Sequence, residues 1–212
     1  MDRKALIESL AVKYEKSPVL RTLVNFLPYG GGFDVFASAK SDEFRKQRTH
    51  AFFEELASGK IESSPELLEQ EDFLFCFESC CQAAIGTRDR EKIRCFARLL
   101  NSCVSPQKVE SIEEFEDLFE VLRALTPREM ALVARLREFR SVPRSEDFDA
   151  SALDGNEDEV AAALARLSRT GCIAPLAEKG AMFGGGTGPG RWRITPFLHR
   201  LCECIEIKAK SL

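Results

Sequence analysis

Apolar residues recur along the first 125 positions at helical spacing: Phe44, Phe52, Phe53 and Leu56; Leu67 with Phe73 to Phe77; Ile93, Phe96, Leu99 and Leu100; then Ile112, Phe115, Leu118, Phe119 and Leu122. Polar residues fill the positions between, so each segment has one dry face and is not stable alone. The dry faces have to be buried against one another, which predicts an N-terminal helical bundle over residues 1–125. Side-chain oxygens placed to hold the free N–H groups of a first helical turn mark the starts: Ser64 before Pro65, Ser111 with Glu114, and Thr126 with Glu129 around Pro127. Sixteen Phe, most of them in this half, supply the bulk, each buried ring contributing about 1.5–3 kcal/mol before entropy is subtracted.

From Thr126 the pattern changes. A helix over 128–139 with Leu132, Leu136 and Phe139 on one face precedes a polar stretch ending in "ALDGNEDEV". A second helix, Glu157 to Arg169, carries Val160, Leu164 and Leu167 on its apolar face and stops at Gly171, where a left-handed backbone is needed. "CIAPL" and "RWRIT" read as strands joined by the glycine-rich "FGGGTGPG", with Trp192 and Ile194 opposite Arg191 and Arg193. A last helix begins at Thr195-Pro196 and turns Leu198, Leu201, Cys202 and Ile205 inward. With a short turn of helix near Asp147 to Leu153, this order predicts a winged-helix-like module with one small β-hairpin over residues 126–212. The whole chain is then mainly α.

One stretch interrupts the helical pattern. "LPYGGGFDVFASA" places Pro28, Gly30, Gly31 and Gly32 between two helices, the first ending at Phe26 and the second starting near Phe33. Between Arg21 and Lys40 only Asp34 is charged, a length close to the roughly 17–20 residues that span a bilayer. Proline and glycine at mid-depth would leave backbone groups unpaired in hydrocarbon, so the stretch is expected to be a tight structural turn, with no membrane span.

The 212 residues are 44% apolar and 30% charged, an ordinary globular balance. Residues 1–125 carry 17 Lys and Arg against 22 Asp and Glu, and the remainder 13 against 12. Neither half has the basic excess that marks a nucleic-acid binder. The opening "MDRKALIESL" has charged residues where a secretory signal needs an apolar run, which points to the cytoplasm and to eight reduced Cys. Cys76 and Cys80 share a helix face and Cys95 and Cys103 lie on the next helix, but without a C-x-x-C knuckle they read as core thiols, and no metal is expected. "GGTGPGRW" from Gly185 has Arg191 and Trp192 where a phosphate loop needs Lys and Ser or Thr, so no nucleotide or other cofactor is expected. His50 and His199 stand in no catalytic motif, and Glu113, Glu114, Glu116, Asp117 and Glu120 lie mostly opposite an apolar stripe, on a solvated face. Catalytic residues are therefore not expected, and the chain reads as a non-enzyme.

The "LP" plus glycine turn, the helix with Arg48 and Phe52, "REKIRCFARLL", and the run "FEVLRALTPREMALVARL" leading to "LARLSRTGCI" resemble a loosely defined set of uncharacterised bacterial proteins. Those combine a helical bundle with a C-terminal winged-helix-like module, and the resemblance implies that fold and a bacterial cytoplasmic setting without an activity. In such a module the candidate contacts are Arg166, Arg169, Arg191, Arg193 and Trp192. Asp154, Glu157, Asp158 and Glu159 crowd the end of the helix that would first meet a duplex, and phosphates repel them. The expectation is a non-catalytic adaptor or regulatory protein whose C-terminal module binds a protein partner or a second copy of itself, and the alternative is a DNA-binding transcriptional regulator.

Overall fold

The computed structural model describes residues 3–27, 39–59, 65–105, 108–109, 111–139, 147–176 and 190–206. The chain divides into two compact units, Met1–Arg123 and Ala124–Leu212, a division two residues before the expected one. It is mainly helical, and among the described residues no helix is long and apolar enough to cross a membrane.

The first unit holds α1 (Arg3–Lys13), α2 (Pro18–Asn25), α3 (Ala39–Ala57), α4 (Glu71–Gly86), α5 (Arg90–Cys103) and α6 (Ile112–Ala124), with a two-stranded antiparallel hairpin of β1 (Val104–Ser105) and β2 (Lys108–Val109) before α6. Its core is aromatic. Phe52 and Phe53 on α3 meet Phe77 on α4, with Phe53 and Phe77 edge to face at 6.2 Å, and Phe115 stacks on Phe119 at 5.6 Å within α6. Such pairs add about 0.5–1.5 kcal/mol each beyond area burial. Charge reinforces the packing at two places. Arg98 donates to Glu55 of α3 (2.6 Å) and to Glu91 at the start of its own helix (2.9 Å), and the ammonium of Lys92, itself buried, donates to the carbonyl of Arg123 at the end of α6.

Several expectations need correction here. Pro65–Glu69 forms only a 3-10 turn, and the long helix starts at Glu71 with Gln70 as its cap; Ser64 lies outside the described residues. Phe44, expected on a buried face, is 54% exposed, and Phe75 is 49% exposed while Phe73 and Phe77 are buried. The turn at Pro28, Gly30, Gly31 and Gly32 also lies outside the described residues, and α3 is described only from Ala39. Ser17-Pro18 opens α2, with the Ser17 hydroxyl accepting from the Leu20 N–H.

The second unit runs α7 (Pro127–Phe139), β3 (Asp147–Asp149), a 3-10 turn (Ala150–Ala152), α8 (Glu157–Arg169), β4 (Ile173–Pro175), β5 (Arg191–Ile194) and α9 (Pro196–Ile205). The expected hairpin of β4 and β5 is present, but it belongs to a three-stranded antiparallel sheet ordered β3-β5-β4. Asp147 to Asp149, expected as part of a helical turn, forms the third strand, and only the 3-10 turn that follows is helical. The connecting segment of the hairpin, residues 177–189, lies outside the described residues. Leu132, Val133, Leu136, Leu164, Leu167, Ile173, Ile194, Leu198 and Leu201 form the core.

The end of α8 is tied by two backbone bonds: the Cys172 N–H donates to the Leu167 carbonyl and the Gly171 N–H to the Ser168 carbonyl. This double closure requires a left-handed residue, and Gly171 has φ +77°. A methyl group at Gly171 would meet nothing within 4 Å, so replacement there is opposed by backbone conformation alone. Gly171→Ala is expected to lower stability by about 1 kcal/mol, read as a shift in the denaturation midpoint, and Gly171→Asn to lower it less.

Candidate interaction surface on the C-terminal unit

The surface is organised by the way α7 and α8 are joined. Thr126 and Glu129 form a complete capping box: the Glu129 N–H donates to the Thr126 hydroxyl (3.3 Å), and the Glu129 carboxylate accepts from the Thr126 N–H (2.7 Å). The second oxygen of that carboxylate accepts from the Arg166 guanidinium on α8. Glu129 is only 3% exposed. Burial pushes its carboxyl up, but the Thr126 N–H and the Arg166 guanidinium outweigh that and hold it below the ordinary carboxylate range. Arg166, a candidate contact residue from its charge, thus has a partner inside the unit, although half of its side chain faces solvent.

The sheet treats its arginines in the same way. Arg193 makes a two-pronged ion pair with Asp147 across β3 and β5, Nε to Oδ1 at 2.7 Å and Nη2 to Oδ2 at 3.4 Å. Arg191 is exposed and in register with Asp149. The Arg193 hydrogen bond lowers the Asp147 pKa, and the Ser151 N–H lowers that of Asp149. Two aspartates and two arginines on one sheet face cancel each other locally. Trp192 faces the other way with Ile194, half-buried in register with Phe148 and Pro175, so it contributes to the core side of the sheet.

Asn156 caps α8, its side-chain oxygen accepting from the Asp158 and Glu159 N–H groups. Asp154, Glu157, Asp158 and Glu159 are all exposed at this end; Glu159 pairs with Arg128 of α7 at 3.3 Å, and Arg135 donates to the Asp154 carbonyl. Arg169, at the far end, is exposed. Between these charges the exposed positions are Ala161, Ala162 and Ala165, with the half-exposed Arg166 beside them.

No protein-family model, curated protein or solved structure matches this chain.

The thiols are chemically quiet. All eight Cys are free and buried; burial pushes Cys76, Cys81 and Cys95 up to about 12 and Cys80 well above its ordinary value. Among the described residues no group of three or more His, Cys, Asp and Glu is gathered where it could hold a metal ion. His50 is half-buried on α3, and burial, with Lys13 and Lys46 nearby, lowers its pKa; His199 is half-buried on α9. Of "GGTGPGRW", the residues before Gly190 lie outside the described residues.

Sequence reasoning placed Glu129 in the cap of α7 but not its hold on Arg166, and it missed Asp147 and Asp149, which hold or face the sheet arginines, and the three outward alanines. A signal for the alanines was present in "EVAAALARL", where they occupy the positions opposite Val160, Leu164 and Leu167.

Arg166→Ala leaves the Glu129 carboxylate buried without its cation and is expected to destabilise the unit by about 1–3 kcal/mol, whereas Arg169→Ala stays within about 0.5 kcal/mol. Urea denaturation of the two variants checks the contrast. Because the Glu129 pKa is lowered on folding, the stability it contributes is present above its ordinary value of 4.5 and is lost as pH falls through the folded value. Glu129→Gln is expected to flatten that acid limb of the stability profile.

Proposed function

We propose that the chain is a non-catalytic adaptor or regulatory protein whose C-terminal unit is a winged-helix-like module that docks protein. The order α7, β3, 3-10 turn, α8, β4, β5 supports the winged-helix reading, since the strand before α8 pairs with the strand that closes the hairpin. In that arrangement α8 occupies the position of a recognition helix.

The observation that carries the docking reading is the composition of α8's outward face. Base edges are read by side chains that donate or accept hydrogen bonds, with long basic groups on the flanking phosphates. Here the centre of the face is three alanines, its leading end is acidic, and two of the four candidate arginines are held by Glu129 and Asp147. Methyl groups neither donate nor accept hydrogen bonds and read no base edge beyond contact with a thymine methyl, but they allow close approach of another packed surface. The electrostatic attraction that dominates DNA affinity is correspondingly weak.

A mobility-shift assay with mixed-sequence duplex DNA at about 50 mM salt, where counterion release favours any phosphate contact, tests this reading. No retardation is expected. Retardation that fades steeply as salt rises would replace docking with the DNA-binding alternative.

A further inference from the structure

Opposite the buried stripe of α8, five residues stand exposed: Asp158, Ala161, Ala162, Ala165 and Arg169. At 3.6 residues per turn they fall within about 60° of one line along the helix. An acid stands at one end, a base at the other, and three methyl groups between. Asp158 and Arg169 take part in none of the ion pairs of the described residues, unlike Glu159 and Arg166. The midpoint between Asp158 and Arg169 coincides with the midpoint between Ala162 and Ala165.

That symmetry identifies an occupant. A two-fold axis through the shared midpoint sets Asp158 of one copy on Arg169 of the other, twice, and Ala162 on Ala165, also twice, with Ala161 against the half-exposed side chain of Arg166 at the flanks. We propose that α8 packs antiparallel against α8 of a second copy of this chain. The proposal rests on the docking reading above and names its partner.

Three physical arguments support this occupant over a foreign helix. Alanine loses no rotamer freedom when covered and lets helix axes approach to about 8 Å. The two charge pairs lie roughly 16 Å apart along the axis, at 1.5 Å per residue, and frame the methyl contact at both ends. A parallel arrangement would instead set Asp158 on Asp158 and Arg169 on Arg169, so the charges select the antiparallel one. One helix pair buries an area at the small end of specific interfaces, below about 1,200 Å² in total, and the dimer is therefore weak and concentration-dependent.

Sedimentation equilibrium over a range of protein concentrations tests this on the full chain. The wild type is expected to dimerise reversibly. Asp158→Arg alone and Arg169→Asp alone are each expected to weaken the dimer at least tenfold, because each places like charges together at both ends. Mixing the two single variants is expected to restore association as a heterodimer, since each reversed charge then meets its opposite, and the double variant is expected to dimerise as the wild type does. Ala162→Glu, which puts a carboxylate at the centre, is expected to give a monomer. Circular dichroism melting that shows every variant still folded at the temperature of the sedimentation run separates lost association from lost folding.

A wild type that stays monomeric at the highest concentration overturns the proposal, as does a dimer indifferent to both reversals or a mixture that fails to rescue. A monomer that also leaves DNA unshifted overturns the α8 pair alone and leaves the docking reading standing. Retardation of DNA overturns both.

Discussion

A carboxylate removed from water has to be matched by donors, and the C-terminal unit is built around one such match. Glu129 receives the Thr126 N–H on one oxygen and the Arg166 guanidinium on the other, so the start of α7 and the last turn of α8 are held by a single side chain. Breaking either contact leaves a buried charge short of a partner, which costs more than the contact itself contributes. The pair holds α8 in the rotation that its buried stripe of Ala163, Leu164 and Leu167 sets. Leu164 and Leu167 then face the core, and Ala162 and Ala165 necessarily face out.

The same matching governs the sheet. Arg193 and Asp147 meet across two strands, and Arg191 stands in register with Asp149, so a face that carries two arginines has little net field. Counting cations along the chain would credit this region with a positive surface. Pairing removes most of that credit, and the acidic start of α8, which stabilises its own helix through the dipole, removes more. What is left for recognition is shape, methyl contact and two isolated charges at the ends of one helix.

Local chemistry was legible in the sequence and distant chemistry was not. The cap at Ser111, the capping box at Thr126, the stop at Gly171 and the bounds of α8 all follow from residues within a few positions of each other, and the structure has them. Ser64-Pro65 misled because the same dipeptide signal opens a 3-10 turn as readily as an α-helix, and nothing local measures how far the helix continues. The strand Asp147–Asp149 is three residues with one apolar side chain, too short for alternation to register, and it exists because β5, more than forty positions away, supplies its hydrogen bonds. Arg166 read as an available cation because its partner lies 37 positions earlier. The outward alanines escaped notice because alanine is equally at home inside and outside a helix.

The distribution of the thiols has its own consequence. Cys76, Cys80, Cys81, Cys95 and Cys103 are buried in one unit, and Cys172, Cys202 and Cys204 in the other. A thiol that is both shielded and protonated reacts with an alkylating reagent only while its surroundings are open. The chain therefore carries a separate set of chemical reporters in each half, and brief alkylation followed by peptide mass spectrometry would time the opening of one half independently of the other, without any introduced label.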